Sequence, residues 1–314
     1  MHRYLYGRLG QALLVLWAAF TLSFFLLQVL PGDAILIKFQ NPDMGLSPAQ
    51  IADMRAVYGA DAPLWRQYLH TLVDFIRGDF GYSVQTGVPV AQLLTTNLPP
   101  TLRLAVCGFL LAAILAGGMA LLAGLTSVRW LRGIWHALPS IFISVPTFWL
   151  GIVLIQVFSF RLKWVPVINP GEWAGLILPI LTLAVPICAP LAQILIRSID
   201  EVQTLPFVAV ARAKGASRAG VLWRHVARNA VLPALTIAAL LFGELIAGAL
   251  ITETVFGLSG LGQLTQQAVN NQDVAVLQAI VVISATAFVT INLLVDLLYP
   301  LLDPRLKMPA GAAL

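Results

Sequence analysis

The segment FVAVARAKGASRAGVLWRHVARNAVLP, residues 207–233, lies between two long apolar runs and decides how the rest of the chain is interpreted. It holds no acidic residue and five of the chain's 19 Lys and Arg residues. Pro206 before it and Gly215 within it are helix start and stop signals, and Ser217 is a strong N-cap for a second helix. The pattern therefore predicts two short helices separated by a glycine turn.

Each of these two predicted helices has an apolar side and a charged side. In the first helix, Phe207, Val210 and Ala211 share one face, whereas Arg212 and Lys214 lie elsewhere. The second helix alternates apolar residues with basic ones: Val221, Leu222 and Val226 with Arg218, Arg224 and Arg228. A basic surface of this kind suits anionic lipid headgroups or a partner protein, and the segment alone leaves both open.

The composition excludes an ordinary soluble domain. Hydrophobic residues make up 59% of the 314 residues and charged residues only 11%, whereas soluble domains are about 25% charged. The net charge of +5 would suit nucleic acid, but in so apolar a chain basic residues are orientation signals at a membrane face, and no nucleic-acid partner is expected. Cys107 and Cys188 both lie in apolar runs, so we expect no disulfide or zinc site.

Six runs are long enough to span a membrane, which takes about 20 apolar residues. They cover residues 10–30, 102–125, 137–158, 176–196, 230–251 and 274–298. The third contains Pro139 and Pro146, and the fourth contains three prolines, which neighbouring helices can accommodate. The predicted fold class is all-α: a polytopic membrane protein with six transmembrane helices in contact with membrane lipid.

The basic residues predict the orientation of these spans. If the N-terminus is cytoplasmic, most of the Lys and Arg residues fall on the cytoplasmic side, and most of the others lie in or beside the long first outer loop, where the charge rule has little weight. Both termini are therefore predicted to be cytoplasmic. The predicted organisation is an N-terminal tip with the first span (1–30), an extracytoplasmic loop (31–100), a five-helix core (101–306) that includes a cytoplasmic loop (197–229), and a tail (307–314).

The outer loop contains two predicted amphipathic helices. In GLSPAQIADMRAVYG, residues 45–59, Ser47 is the cap and Gly59 the stop. In the second, Leu64, Tyr68, Leu72 and Phe75 share one face and Gly78 is the stop. Both helices are predicted to lie on the outer membrane surface or to cap the helix bundle.

No motif for catalysis or for a cofactor is found in the sequence. It has no G-x-x-x-x-G-K-[ST], no H-E-x-x-H and no G-x-S-x-G, and its four histidines are scattered, so no catalytic residue, metal site or cofactor is expected. An acid at membrane depth is costly and is treated as a functional hypothesis. Glu244 lies beside small residues in GELIAGAL and is predicted to line a translocation pathway and meet a cationic group. The alternative is a glutamate that hydrogen bonds within the bundle.

Seven motifs, in order along the chain, carry a family resemblance. They are LPGD (30–33), GDFGYS (78–83), LPPTLRLA (98–105), SVPTFWLG (144–151), ARAKGAS with RHVARNAVLP (211–233), ETVFGLSGLGQL (253–264) and VDLLYPLLDPRLK (295–307). Together they resemble the dipeptide, oligopeptide and nickel branch of the ABC importer permeases, whose cytoplasmic EAA loop is similar to the fifth motif. The positions that match the general Glu-Ala-Ala pattern are Ala209, Val210 and Ala211. The glutamate of the pattern is therefore absent here, which is similar to that branch.

The resemblance implies a type I ABC importer-like permease core in a bacterial inner (cytoplasmic) membrane. Such a chain forms half of a pore with a second, homologous permease subunit as a heterodimer, and works with two cytoplasmic ATPase subunits and an extracytoplasmic solute-binding protein. ATP and Mg are bound by the ATPase subunits, so this chain is not expected to be an enzyme. The implied cargo is di- or oligopeptides, with nickel or a metal chelate as the alternative. From another class, a stand-alone secondary transporter would also fit six spans with midspan prolines.

The resemblance also implies site residues. The first helix of the cytoplasmic loop is expected to sit in a groove of an ATPase subunit and to couple its motion to the spans. The implied coupling residues are Phe207, Ala209, Ala211, Arg212, Lys214, Gly215 and Ser217.

Overall fold

The computed structural model describes residues 2–29, 63–166, 171 and 173–302, and this part of the chain is mainly helical. Its α-helices are α1 (His2–Val29), α2 (Leu64–Arg77), α3 (Val90–Leu125), α4 (Arg129–Ile143), α5 (Thr147–Leu154), α6 (Ile177–Gln203), α7 (Pro206–Ala213), α8 (Arg218–Val221), α9 (Ala227–Phe256), α10 (Leu261–Asn270) and α11 (Val274–Leu302). The π-helical turn Ile155–Arg161 continues α5, and a second π-helical turn, Leu222–Val226, joins α8 to α9. The predicted outer helix at 47–59 lies outside the described residues.

The number of membrane spans agrees with the sequence. Among the described residues, five helical segments are long and apolar enough to cross a membrane, and the bent pair α4–α5 would be a sixth. The structure adds where each helix continues beyond its apolar run. Helix α3 begins at Val90 rather than at 102 and contains Pro99 and Pro100. The fixed φ of proline is compatible with a helix, although each proline lacks the N–H of a helical hydrogen bond.

The predicted third span, 137–158, is broken rather than continuous. Helix α4 ends at Ile143, Pro146 is extended with φ −60° and ψ 133°, and α5 starts at Thr147. The two parts meet at an angle of 97°. Pro139, in contrast, lies inside α4 without ending it. The break therefore forms at only one of the two prolines in the predicted span.

The chain divides into two compact units, and the first comprises the described parts of Met1–Thr101 and Gly257–Thr290. In this unit, α2 packs on α1 through aromatic side chains. The ring of Phe20 lies 5.7 Å from that of Tyr68 and 5.3 Å from that of Phe75, and the hydroxyl oxygens of Thr21 and Tyr68 are 2.9 Å apart. The predicted stop of α2 is confirmed, because Gly78 has φ +83°.

Two buried side chains in the first unit hold α10 at its ends. At the N-terminal end, the backbone N–H of Leu261 donates to Thr101 Oγ1 at 2.8 Å. At the C-terminal end, Asp273 follows α10 and its carboxylate accepts from Ser83 Oγ at 2.5 Å and from the backbone N–H groups of Gln85 at 3.4 Å and Val276 at 3.5 Å. Thr101, Ser83 and Asp273 are all buried, so α10 is fixed by hydrogen bonds from distant parts of the chain.

The second unit comprises Leu102–Phe256 and the described part of Ile291–Leu314. Leu183 of α6 is buried at its centre. A Cβ added at Gly108 of α3 would lie 3.3 Å from Leu183 Cβ, and one added at Gly248 of α9 would lie 3.4 Å from its Cδ2. Glycine thus lets α3 and α9 approach the same leucine closely, which is how membrane helices gain packing energy.

Candidate functional site

Helix α7 is the first of the two helices predicted around Gly215. Leu205 has extended dihedral angles, and Pro206 takes the first helical position, where its missing N–H removes no helical bond. After Ala213 the chain turns, and Gly215 has φ +84°. No heavy atom lies within 4 Å of an added Cβ at Gly215, so the backbone conformation alone favours glycine there. Both predicted boundaries are confirmed.

The burial pattern of α7 leaves its larger apolar side chains outside. Val208 is 1% exposed and anchors the helix, whereas Phe207 is 40% and Val210 53% exposed. Leu205, just before the helix, is 43% exposed. Of the implied coupling residues, Ala211 is half-buried and the others are exposed: Phe207, Ala209, Arg212, Lys214, Gly215 and Ser217. These residues therefore lie on one short and mostly exposed segment, which consists of α7 and the turn that follows it.

The second predicted helix of the loop is not a separate element. Ser217 is its N-cap, as expected, and its Oγ accepts from the N–H of Gly220 at 3.1 Å. From Arg218, however, the chain stays helical through the π turn and α9 to Phe256. The apolar run of the fifth span begins only near residue 230, but hydropathy marks where a membrane begins and not where a helix does.

The base of the loop is packed on the C-terminal end of α3. A Cβ added at Gly124 would lie 3.1 Å from Ile199 Cγ2 and 3.2 Å from Leu222 Cδ1. In addition, Arg218 Nη2 donates to the carbonyl of Thr126 at 3.2 Å. Leu222 is buried, as are Val221 and Val226, so the apolar face predicted for the second helix serves to seat the loop.

A polar cluster joins α4 to α6 just before α7. Arg132 Nη2 lies 2.5 Å from Asp200 Oδ1, and His136 Nε2 lies 3.5 Å from Asp200 Oδ2. These residues adjoin a groove of about 380 Å³ that His136 and Asp200 line together with Ser140 and Gln193. Sequence reasoning missed this cluster, since its only signal is the spacing of Arg132 and His136 on one face of a helix.

Glu244 lies near the middle of α9 and is exposed in this chain. It belongs to an exposed stripe with Leu240, Ala247 and Ile251, which follow the helical repeat. A carboxylate at this depth is costly in contact with lipid, so such residues usually face a cavity or a bundle interior. The exposure fits the predicted pathway position and gives no support to a glutamate buried within this chain.

Residues 108–308 match the family model described as the binding-protein-dependent transport system inner membrane component. Two of the most similar curated relatives extend over almost the whole chain. The "Probable peptide ABC transporter permease protein y4tP" of Sinorhizobium fredii is 36% identical over 312 residues, covering 97% of this chain and 99% of the relative. The "Glutathione transport system permease protein GsiC" of Escherichia coli is 34% identical over 309 residues, covering 98% and 99%.

Solved structures are similar at the level of the fold. An inward-facing structure of the MetNI methionine ABC transporter matches with a TM-score of 0.57 at 18% identity, covering 68% of this chain and 97% of the other. The spans, the cytoplasmic loop and the resemblance of the motifs thus agree with both comparisons. The chain belongs to the binding-protein-dependent transport system inner membrane component family, and is an inner-membrane permease of the ABC importer type.

Proposed function

We propose that this chain forms half of the pore of an ATP-driven peptide importer, and that α7 couples the pore to a cytoplasmic ATPase subunit. The observation that carries this proposal is the exposed apolar face of α7. On a helix of eight residues, Phe207 and Val210 are exposed while only Val208 is buried. An amphipathic helix that presents its apolar face in this way suits a hydrophobic groove on a partner.

The packing at the base of the loop explains how a movement of α7 would reach the membrane spans. Helix α6 runs from Ile177 to Gln203 and leads directly into α7, and the helical segment Arg218–Phe256 follows it. Close packing at Gly124 and the bond from Arg218 to Thr126 tie both segments to α3. A displaced α7 would therefore move packed helices together, as in shear or rigid-body switching. Nucleotide would drive the change through its different affinities for the ATPase states.

The other subunits of the transporter are proposed from the family assignment. Permeases of this family work with ATPases and binding proteins, and we place ATP, Mg and hydrolysis on two separate ATPase subunits, so that this chain is not an enzyme. The other half of the pore is a second, homologous permease subunit that forms a heterodimer with it. The family assignment decides against a stand-alone secondary transporter.

Peptides are the proposed cargo. One relative is named for peptide transport and another for transport of glutathione, which is itself a tripeptide. Uptake of a radiolabelled tripeptide into proteoliposomes that contain the complete transporter, with its binding protein added, tests this directly. Uptake of nickel or of a metal chelate, in place of the tripeptide, would contradict the peptide assignment.

The docking role of α7 is tested by placing a carboxylate on its exposed face. Phe207→Asp and Val210→Asp should remove ATPase subunits from the purified complex, because an apolar groove would have to bury a charge. Ala219→Asp is the matched control, since Ala219 is exposed on α8, outside that face. Full retention of the ATPase subunits by both α7 variants would show that this face is not the docking surface.

Glu244 is proposed to line the translocation pathway and to meet a cationic group of the cargo, such as a peptide amine. Glu244→Gln keeps the shape of the side chain and removes the charge, so it should lower uptake of peptides with a free amino terminus more than uptake of acetylated ones. Leu240→Gln places the same amide on the same exposed stripe and serves as the control. If Glu244→Gln leaves transport and cargo range unchanged in a normally assembled complex, the pathway role is excluded.

A further inference from the structure

Helix α10, between the last two spans, has two chemically distinct faces. Its buried face is made of Leu261, Leu264 and Ala268, with Thr265 half-buried beside them. On the opposite face lie Gln263, Gln266, Gln267 and Asn270, which follow the i, i+3, i+4, i+7 repeat of one helical stripe. We call these four residues the amide stripe. Gln263 is half-buried, and the other three side chains are exposed.

The amide stripe differs from an ordinary solvated surface in having no charge. None of the residues of Leu261–Asn270 is charged, whereas protein surfaces are typically about 25–35% charged. Solubility does not require a helix on the outer side of a membrane protein to be uncharged, so it does not explain this composition. Four carboxamides in one row instead present hydrogen-bond donors and acceptors together, without attracting or repelling either sign of charge.

The helix is also held in one position before any ligand arrives. Its first N–H donates to the buried Thr101 Oγ1, and the buried Asp273 that follows it is bonded to Ser83. A rigid, preformed surface loses little conformational freedom on binding, so its contacts contribute more fully to affinity. The hydrogen bonds at both ends of α10 thus suit a recognition surface better than a mobile connection.

We infer that the amide stripe binds the peptide backbone of the transported cargo; this rests on the proposed function. Each peptide unit presents one N–H donor and one C=O acceptor, whatever its side chain, and carboxamides complement both. Neutrality would let cationic, neutral and anionic peptides pass alike. From Gln263 to Asn270 the stripe extends about 10 Å along the helix axis, which is the length of about three extended residues.

The test uses the complete transporter in proteoliposomes, with its binding protein, and compares uptake of Ala-Lys-Ala with uptake of Ala-Asp-Ala. Gln267→Glu should raise the Lys-to-Asp uptake ratio about threefold and Gln267→Lys should lower it about threefold, as expected for one exposed ion pair. The binding protein is the same in every sample, so its own preference cancels in the comparison with wild type. Val269→Glu and Val269→Lys are matched controls, because Val269 is exposed on α10 outside the stripe, and they should leave the ratio unchanged.

A second measurement does not depend on charge. A bromoacetylated tripeptide should alkylate Gln266→Cys, should spare Val269→Cys, and should be displaced by excess trialanine. Wild-type uptake of peptide together with unchanged ratios in both Gln267 variants, or with equal labelling at the two cysteine positions, would overturn the inference and leave the proposed function intact. If the wild-type complex imports no peptide at all, the proposed function fails and this inference fails with it.

Discussion

Helices α7 and α10 are both short, amphipathic connections between spans, yet they divide their residues in opposite ways. Helix α7 buries only Val208 and exposes large apolar side chains. Helix α10 buries Leu261, Gly262, Leu264 and Ala268 and exposes amides. Since exposed apolar surface is unfavourable, α7 suits the proposed docking on another protein, whereas α10 buries its apolar face within the chain.

The difference predicts where the effect of a mutation will be seen. Changes on the exposed face of α7 should leave the chain itself stable and weaken the assembled complex. Changes at the buried contacts of α10 should destabilise the chain directly.

The largest loss of stability is expected from Asp273→Ala, which removes the carboxylate that accepts the buried hydrogen bonds after α10. The substitution leaves Ser83 Oγ and the N–H groups of Gln85 and Val276 without their acceptor. Because buried donors without partners are expensive, the free energy of unfolding should fall by about 3 kcal/mol. The measurement is the thermal unfolding midpoint of the purified complex.

Asp79→Ala is the matched control for that change. Asp79 Oδ1 also accepts a backbone N–H, from Gly81 at 2.9 Å, but the contact is exposed, so water can replace it. If the unfolding midpoint of Asp273→Ala is no lower than that of Asp79→Ala, the buried hydrogen bonds to Asp273 contribute little to holding α10.

The next largest effect is expected within α7, where two valines of the same helix differ only in burial. Val208→Ala removes two buried methyl groups and should cost about 2 kcal/mol of unfolding free energy. Val210→Ala should leave stability within about 0.5 kcal/mol of wild type, as exposed substitutions do, but weaken retention of ATPase subunits. Thermal unfolding and co-purification are measured on the same samples. Equal stability loss in both variants would remove the distinction between anchor and docking face.

The sequence predicted most of α7 because the signals for it are local. Pro206, Gly215 and Ser217 each act within a few residues of themselves, and all three perform as expected in the structure. What the sequence left undetermined is which apolar residue is buried. Phe207 and Val210 are as apolar as Val208, and burial depends on what the rest of the chain packs against them.

For α10, the sequence shows the helical repeat but not the hydrogen bonds that hold the helix in place. Its Leu and Gln residues follow a helical repeat, yet Thr101 of α3 accepts from Leu261, and Ser83 donates to Asp273, which follows α10. No local rule connects residues so far apart in the sequence. The break at Pro146 in the third span is a similar case. Both Pro139 and Pro146 are possible helix breakers, and only the three-dimensional packing decides between them.

A smaller effect is expected at Gly215, whose φ of +84° disfavours side chains. Gly215→Val should cost about 1–2 kcal/mol, the usual penalty for a left-handed residue with a Cβ. Because the turn sets the direction of α7, this variant should insert normally but hydrolyse ATP without transporting peptide. Gly215→Asn is the control, since asparagine tolerates the left-handed region. Normal coupling of hydrolysis to transport in Gly215→Val would refute the role of the turn.

The smallest effect is expected for Ser217→Ala, and it provides the closest comparison between the two regions. Ser217 Oγ accepts from Gly220 N–H at 3.1 Å at an exposed helix start, and its loss should cost about 1 kcal/mol. Thr101 Oγ1 accepts from Leu261 N–H in the same way, but where both groups are buried. Water replaces the first bond and cannot reach the second, so Thr101→Val should cost more than Ser217→Ala. Amide hydrogen exchange at Gly220 and Leu261 measures each opening separately. Equal acceleration at the two amides would show that burial does not distinguish α10 from the loop that contains α7.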